Sequence, residues 1–106
     1  MSNLAKTNRT GKAVKATAMP NLSKRFTPTQ LAEAITAKRT GMKLSLVDVS
    51  ESVSISKPTL VKIEKGDTNV KLANLLKVME YLGLTFSLLS DDATSKEETG
   101  VSDDWY

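Results

Sequence analysis

Two short helical segments joined by a tight turn constrain the fold of this chain more than any other feature of its sequence. Residues 45–53 form the first predicted segment, because Ser45 and Asp48 have the spacing of a capping box. Residues 56–65 form the second, which begins with a serine that can act as its N-cap. The turn Ser54-Ile55-Ser56 places one aliphatic residue between two small polar ones. This arrangement is typical of a helix-turn-helix motif.

The side chains of this motif divide into a buried set and an exposed set. Small residues fit where the two helices cross, at Ser50 and Ser54, and Ile55 supplies the buried aliphatic residue of the turn. Leu60 and Ile63 point inward from the second helix. That helix is expected to lie in a DNA major groove, with its N-terminal residues near base edges. The residues predicted to bind DNA are Ser45, Ser56, Lys57, Thr59, Lys62 and Lys65.

The exposed residues of the second helix carry groups that bind DNA. Lys57 and Lys62 can donate to guanine O6 and N7 or to phosphate. Ser56 and Thr59 can donate to phosphate or to bases, and the amides of the helix N-terminus attract anions at the same end. The alternative interpretation is that these are ordinary solvated residues of a small helical domain.

Further helices are predicted on both sides of the motif. The stretch Thr27-Pro28-Thr29-Gln30 indicates a helix start with a T-x-x-Q capping box, and Gly41 ends this helix near residue 40. Asn69 is predicted to cap the last helix, which Gly83 stops. Its predicted apolar stripe consists of Leu72, Leu75, Leu76, Met79 and Leu82. The sequence therefore predicts an all-α domain of four to five helices.

Residues 84–88 alternate strictly between apolar and polar side chains, which indicates a short β-strand with one apolar face. No second strand is predicted in the chain, and an unpaired strand exposes backbone donors and acceptors. The simplest partner is the same strand of a second copy in a two-fold homodimer. Leu84, Phe86 and Leu88 are the predicted dimerisation residues. The alternative is an extended segment that packs on the preceding helix.

The composition excludes most classes of enzyme. The 106 residues include no cysteine and no histidine, which removes thiol chemistry, the commonest metal ligand and the usual general base. Only a carboxylate site stays formally open, and no catalytic residue, cofactor or metal is predicted. No apolar run approaches the ~18 residues of a membrane span, and the N-terminus lacks the apolar stretch of a secretory signal. A cytoplasmic protein without enzymatic activity is expected.

Charge divides the chain into three parts. Residues 1–25 form a basic arm with six lysines and arginines and no acidic residue, residues 26–90 form the predicted domain, and residues 91–106 form an acidic tail. The arm and the tail are predicted to be flexible. The arm is either a phosphate-seeking element or a solubilising or leftover extension. The tail ends in Trp105 and Tyr106, which dock into a partner's pocket, fold back on the domain or have no role.

The block SKPTLVKIEKG at residues 56–66 resembles the recognition helix of the Cro/C1 (Xre-type) helix-turn-helix family. Within that family the chain is most similar to the HipB-like antitoxins, through TPTQLAEA at residues 27–34, LGLTFSL at residues 82–88 and the tryptophan near the end of the tail. The resemblance implies a dimeric, nucleoid-associated autorepressor that binds a palindromic operator. It also implies a partner, a HipA-type Ser/Thr kinase toxin, whose pocket would take Trp105.

Two positions depart from the pattern of that family. Leu46 stands where the family usually has a glutamine that braces a phosphate contact, and Ser54 stands where the turn usually has glycine. A serine at this position requires either a turn without positive φ or some backbone strain. Two other functions stay open, a plain Xre-family transcriptional regulator with no toxin partner and a protein-interaction module that has lost DNA binding.

Overall fold

The computed structural model describes residues 13–91. These residues form four α-helices in the order α1 (Pro28–Gly41), α2 (Leu46–Val53), α3 (Lys57–Glu64) and α4 (Leu72–Leu82). No β-strand occurs within this described range. The predicted all-α helix-turn-helix domain is thus confirmed, with four helices in residues 13–91. Trp105 and Tyr106 lie outside the described residues.

The first helix begins at the predicted residue, but the hydrogen bonds at its start differ from the predicted capping box. The Thr27 side chain is the N-cap and accepts a 3.0 Å hydrogen bond from the backbone N–H of Gln30. Pro28 follows at the first helical position, where its fixed φ suits a helix start. The predicted capping box is only half formed, because the Gln30 amide donates to the carbonyl oxygens of Asn21 and Lys24. Gln30 therefore ties the segment before α1 to the helix.

The end of α1 lies within one residue of its predicted position. The Met42 N–H caps the helix by donating to the carbonyl oxygens of Lys38 and Arg39. The left-handed residue of this turn is Lys43, with φ of 62°, and Gly41 stays within the helix. The predicted end of the helix at Gly41 is therefore confirmed, and the left-handed residue follows it at Lys43.

One continuous core holds the four helices together. Every helix contributes at least one buried aliphatic side chain or methionine, so no helix can leave the bundle without exposing apolar surface. The core residues are Ile35, Val49, Leu60, Ile63, Val78, Met79 and Leu82.

The last helix differs from its prediction at its start and along its stripe. The N-cap is Lys71 without a side-chain hydrogen bond, so the prediction of an Asn69 cap was wrong. The Asn69 N–H instead donates to Asp67 Oδ1 at 2.8 Å, because the Asp67 side chain forms a local turn. Leu72 is 62% exposed and Leu76 is 44% exposed. Val78 was not in the predicted stripe but is buried, which turns the buried arc away from these two leucines.

The segment that follows α4 leaves the helix through Gly83, as predicted. Gly83 is left-handed with φ of 80°, and the Leu84 N–H donates to the Met79 carbonyl oxygen at 2.8 Å. Beyond it the chain is irregular, and Phe86 and Leu88 are exposed. The Phe86 ring makes an edge-to-face contact with Phe26, with ring centroids 6.3 Å apart. Pairing of this segment across a homodimer stays a prediction.

The described part of the basic arm lies against the helical domain. The Thr17 N–H donates to Thr40 Oγ1 at 2.9 Å, and Lys43 Nζ donates to the Val14 carbonyl oxygen at 3.2 Å. These bonds join residues 23 and 29 positions apart in the sequence. Because the contacts are so distant along the chain, the local composition gave no sign of them.

Candidate nucleic-acid interface

A complete capping box starts α2 and sets the first helix of the motif. Ser45 Oγ accepts from the Asp48 N–H at 3.0 Å, and Asp48 Oδ2 accepts from the Ser45 N–H at 2.8 Å. The predicted capping box is confirmed. Ser45 itself is only 8% exposed, so this cap places the predicted DNA-binding hydroxyl mostly out of solvent.

The turn between α2 and α3 adopts a left-handed residue at Ser54, with φ of 60° and ψ of 47°. The Ser54 N–H donates to the Glu51 carbonyl oxygen at 3.3 Å, and the Ile55 N–H donates to the Ser50 carbonyl oxygen at 3.0 Å. These two bonds satisfy the end of α2. A left-handed serine costs conformational energy that a glycine does not. Of the two alternatives for this turn, the strained one is found.

Ser56 is the N-cap of α3. Its hydroxyl accepts from the Thr59 N–H at 3.2 Å and lies 2.8 Å from the Thr59 hydroxyl. The predicted Ser56 cap is confirmed. These two hydroxyls therefore form a hydrogen-bonded pair at the start of the helix, where Ser56 is exposed and Thr59 is half-buried.

The two faces of α3 have opposite chemical character. Leu60 and Ile63 are buried, as predicted. On the outer face four of the predicted DNA-binding residues are exposed, and Thr59 is half-buried: the exposed ones are Ser56, Lys57, Lys62 and Lys65. The only acidic residue within α3, Glu64, is engaged by Arg39. The exposed surface of this helix is therefore positive and polar, which suits a polyanion.

A buried ion pair fixes the C-terminal end of α3 on α1. Arg39 Nε lies 2.7 Å from Glu64 Oε2, and Arg39 Nη2 lies 2.9 Å from Glu64 Oε1. Both side chains are about nine-tenths buried, with 10% and 9% of their surface exposed. Arg39 Nη1 also donates to the Leu44 carbonyl oxygen, and the Thr36 hydroxyl donates to Glu64 Oε1. This bidentate geometry holds α3 at a fixed angle to α1.

The described end of the basic arm meets the same surface. Val14 and Lys15 line a shallow depression beside the start of α2 and the start of α3. The other residues of this depression are Arg39, Thr40, Ser45, Leu46, Val47 and Lys57. Lys15 is exposed there. A lysine from outside the motif therefore lies at the edge of the predicted DNA-binding surface.

A helix-turn-helix family model matches residues 35–89, which is about half of the 106-residue chain. The chain belongs to the helix-turn-helix family. Similar solved structures carry the descriptions "MDT Protein", "Structure of HipA-HipB-O2-O3 complex" and "HipB-O4 20mer complex". Each is 25% identical, covers 64% of this chain and 96% of that chain, and has a TM-score of 0.58. No curated protein matches the sequence.

These neighbours support the predicted Xre-type, HipB-like character of this helix-turn-helix chain and mark it as a DNA-binding regulator. At the departure from the family pattern, Leu46 is half-buried against the core at the first position of α2. Within residues 13–91 no helix is long and apolar enough to span a bilayer. The same described residues contain no acidic cluster that could hold a metal ion.

Sequence reasoning missed two parts of this site. Arg39 was not singled out, although an arginine at the end of one predicted helix and a glutamate in a family-like block were both visible signals. The docking of the segment around Lys15 and Thr17 left no signal, because its bonds to Thr40 and Lys43 join residues 23 and 29 positions apart.

Proposed function

We propose that this chain is a sequence-specific DNA-binding autorepressor that binds a palindromic operator as a homodimer, with α3 in the major groove. The observation that carries the proposal is the outer face of α3. It presents Lys57 and Lys62 to solvent, while Leu60 and Ile63 anchor its inner face in the core. A helix held on one side and cationic on the other is the geometry by which such motifs read DNA.

The six predicted residues take different roles in this proposal. Lys57, at the first position of α3, contacts a base edge, and Lys62, one and a half turns further on, contacts a base edge or the adjoining phosphate. The paired hydroxyls of Ser56 and Thr59 donate to phosphate or base at the helix start. Lys65, which follows α3, and the largely buried Ser45 contribute contacts to the phosphate backbone.

A homodimer places two recognition helices about one helical turn apart, at ~34 Å. An apolar surface of α4 and the segment after it supports this arrangement. Leu88 is 95% exposed, and Leu72 and Leu76 of α4 also expose apolar surface. Leu84, Phe86 and Leu88 form the dimer contact in this proposal, through a strand paired with that of the second copy.

The same chain is proposed as the antitoxin of a HipA-type Ser/Thr kinase toxin. Support comes from the similar structure described as a HipA–HipB complex. Trp105 and Tyr106 are the residues proposed to dock into the kinase, steered by the acids of the tail. A plain Xre-family regulator without a toxin partner is the second candidate. No enzymatic activity is assigned, and DNA binding would place the protein at the nucleoid.

DNA recognition is tested with the Lys57→Ala variant on a duplex that the full chain selects from a random library. We expect a loss of ~1–3 kcal/mol on the selected duplex, with relaxed specificity at one base pair of each half-site. Lys77→Ala is the matched control, because Lys77 is an exposed lysine on α4 and outside the motif. Fluorescence anisotropy gives both affinities. If Lys57→Ala binds every duplex as the wild type does, α3 is not the recognition helix.

The toxin partner is tested by co-expression with the product of the adjacent gene. Three proteins are each used to capture that product: the full chain, a version that ends at Ser90, and the Trp105→Ala variant. We expect the full chain to retain a kinase-like protein and both variants to lose it. Retention by all three would place the contact on the folded domain, and capture by none would favour the plain regulator.

A further inference from the structure

The described part of the basic arm is held in place by a buried hydroxyl. Thr40, near the end of α1, is 5% exposed, and its Oγ1 donates to the Thr36 carbonyl oxygen at 2.8 Å. The same oxygen accepts from the Thr17 N–H at 2.9 Å. The donor of this buried hydroxyl and one of its two acceptor lone pairs are therefore used. The Lys43 ammonium adds a second tie by donating to the Val14 carbonyl oxygen at 3.2 Å.

These two ties bracket Lys15. Because the backbone is held at Val14 and at Thr17, the position of Lys15 between them is limited. Its side chain is exposed and lines the depression that also includes Lys57, the first residue of α3. Leu46 lines the same depression with an apolar side chain, and the Ser45 hydroxyl, which accepts the α2 cap bond from Asp48, has only its O–H to donate. The start of α2 thus has few polar side-chain groups of its own to offer.

We propose that the docked segment around Lys15 is a second DNA-contacting element, which binds one backbone phosphate at the edge of the groove that α3 enters. The proposal rests on the proposed function, since it needs α3 to bind DNA. It assigns the arm a positioning and affinity role without base readout, because an ammonium on phosphate carries no sequence information. In a homodimer the segment supplies two such contacts, one for each half-site.

The charge of the arm favours contact over shielding. A segment that covered the DNA-binding surface would be expected to carry acidic side chains that mimic phosphate. Residues 1–25 carry none and have six lysines and arginines. The segment therefore adds to the positive potential of α3 instead of neutralising it.

The test is the salt dependence of DNA binding by the full chain. Each neutralised phosphate contributes about −0.9 to the slope of log affinity against log salt concentration. Lys15→Ala should therefore make this negative slope shallower by about 1.8 for a dimer, because each of the two subunits loses one phosphate contact. Between ~50 and ~200 mM salt this corresponds to a loss of affinity that is about twelve-fold smaller than in the wild type. The reduction should be equal on the selected duplex and on a scrambled one.

Three further variants separate the effect of a docked lysine from that of positive charge alone. Lys24→Ala removes the same charge from the same arm, but Lys24 lines a different groove together with Phe26 and Phe86. It should leave the slope unchanged. Thr17→Pro removes the N–H that donates to Thr40 but keeps Lys15, and it lies at an exposed position. It should make the slope shallower, as Lys15→Ala does. Ala18→Pro keeps that N–H and should not.

The outcomes distinguish this proposal from the proposed function. If the wild type shows specific binding, Lys57→Ala relaxes it and Lys15→Ala leaves the slope unchanged, the arm proposal is wrong and the recognition helix stands. If Lys15→Ala binds more tightly than the wild type, the segment shields the surface and the proposal is also wrong. If the wild type prefers no duplex, both proposals fail. If Lys15→Ala and Lys24→Ala make the slope shallower by the same amount, only the total charge of the arm matters and the proposal is wrong.

Discussion

Replacing Arg39 with methionine should destabilise the domain far more than the loss of an ordinary surface ion pair. Arg39 makes two short bonds to the Glu64 carboxylate and a third to the Leu44 carbonyl oxygen. Arg39→Met leaves the Glu64 carboxylate, which is 9% exposed, with the Thr36 hydroxyl as its remaining side-chain donor among residues 13–91. Removal of one partner of a buried pair costs about 3–5 kcal/mol, because the other charge stays desolvated. The whole stability of such a domain is about 5–15 kcal/mol.

Urea denaturation followed by circular dichroism measures this loss. Protein concentration must be held fixed, because the stability of a dimer depends on it. Arg25→Met is the matched control. Arg25 forms the exposed ion pair with Asp91, in which the two side chains are 79% and 84% exposed. Exposed pairs contribute about 0–1 kcal/mol, so this variant should unfold close to the wild-type midpoint.

A double variant separates the loss of the ion pair itself from the cost of leaving one buried charge unpaired. Arg39→Met with Glu64→Leu removes both charges and fills much of the space with apolar atoms. We expect it to recover most of the stability lost by Arg39→Met alone, because replacing both members of a buried pair is often nearly neutral. A loss below about 1 kcal/mol for Arg39→Met would show that the pair behaves as a surface contact, which would refute this reasoning.

Three further variants test the packing, the turn and the dimer. Leu60→Ala, at a fully buried position of α3, should cost about 2–5 kcal/mol in urea denaturation through the cavity that it leaves. Ser54→Gly should stabilise the domain by about 0.5–1 kcal/mol in the same assay, because glycine accepts the φ of 60° without strain. Leu88→Asp should convert a dimer to monomers in sedimentation experiments, whereas Met42→Asp, also at an exposed apolar position, should not.

Local signals in the sequence predicted much of this fold. The caps at Ser45 and Ser56 and the stop at Gly83 depend on hydrogen bonds between residues a few positions apart, so their spacing is sufficient evidence. The Asn69 cap failed for a local reason as well. Asp67 forms its own turn two residues earlier, and this competes with the capping role that Asn69 would take.

The features that the sequence did not predict depend on contacts between residues far apart in the chain. The sequence pattern of α4 contains more apolar residues than its core needs, and only packing decides that Val78 is buried and Leu76 is exposed. The Arg39–Glu64 pair joins residues 25 positions apart, and the Thr17–Thr40 bond joins residues 23 apart. Neither separation has a periodic signature. The outer face of the recognition helix was predictable because the inward positions of Leu60 and Ile63 determine the rest.

The central claim is that a homodimer of this chain reads DNA through α3, and a hydroxyl-radical footprint tests it most directly. The full chain is bound to the duplex that it selects from a random library. We expect two protected half-sites of opposite orientation with centres about 10–10.5 base pairs apart, and loss of the sequence preference with Lys57→Ala. A single protected site with one chain per duplex, or uniform protection of every sequence, would contradict the account.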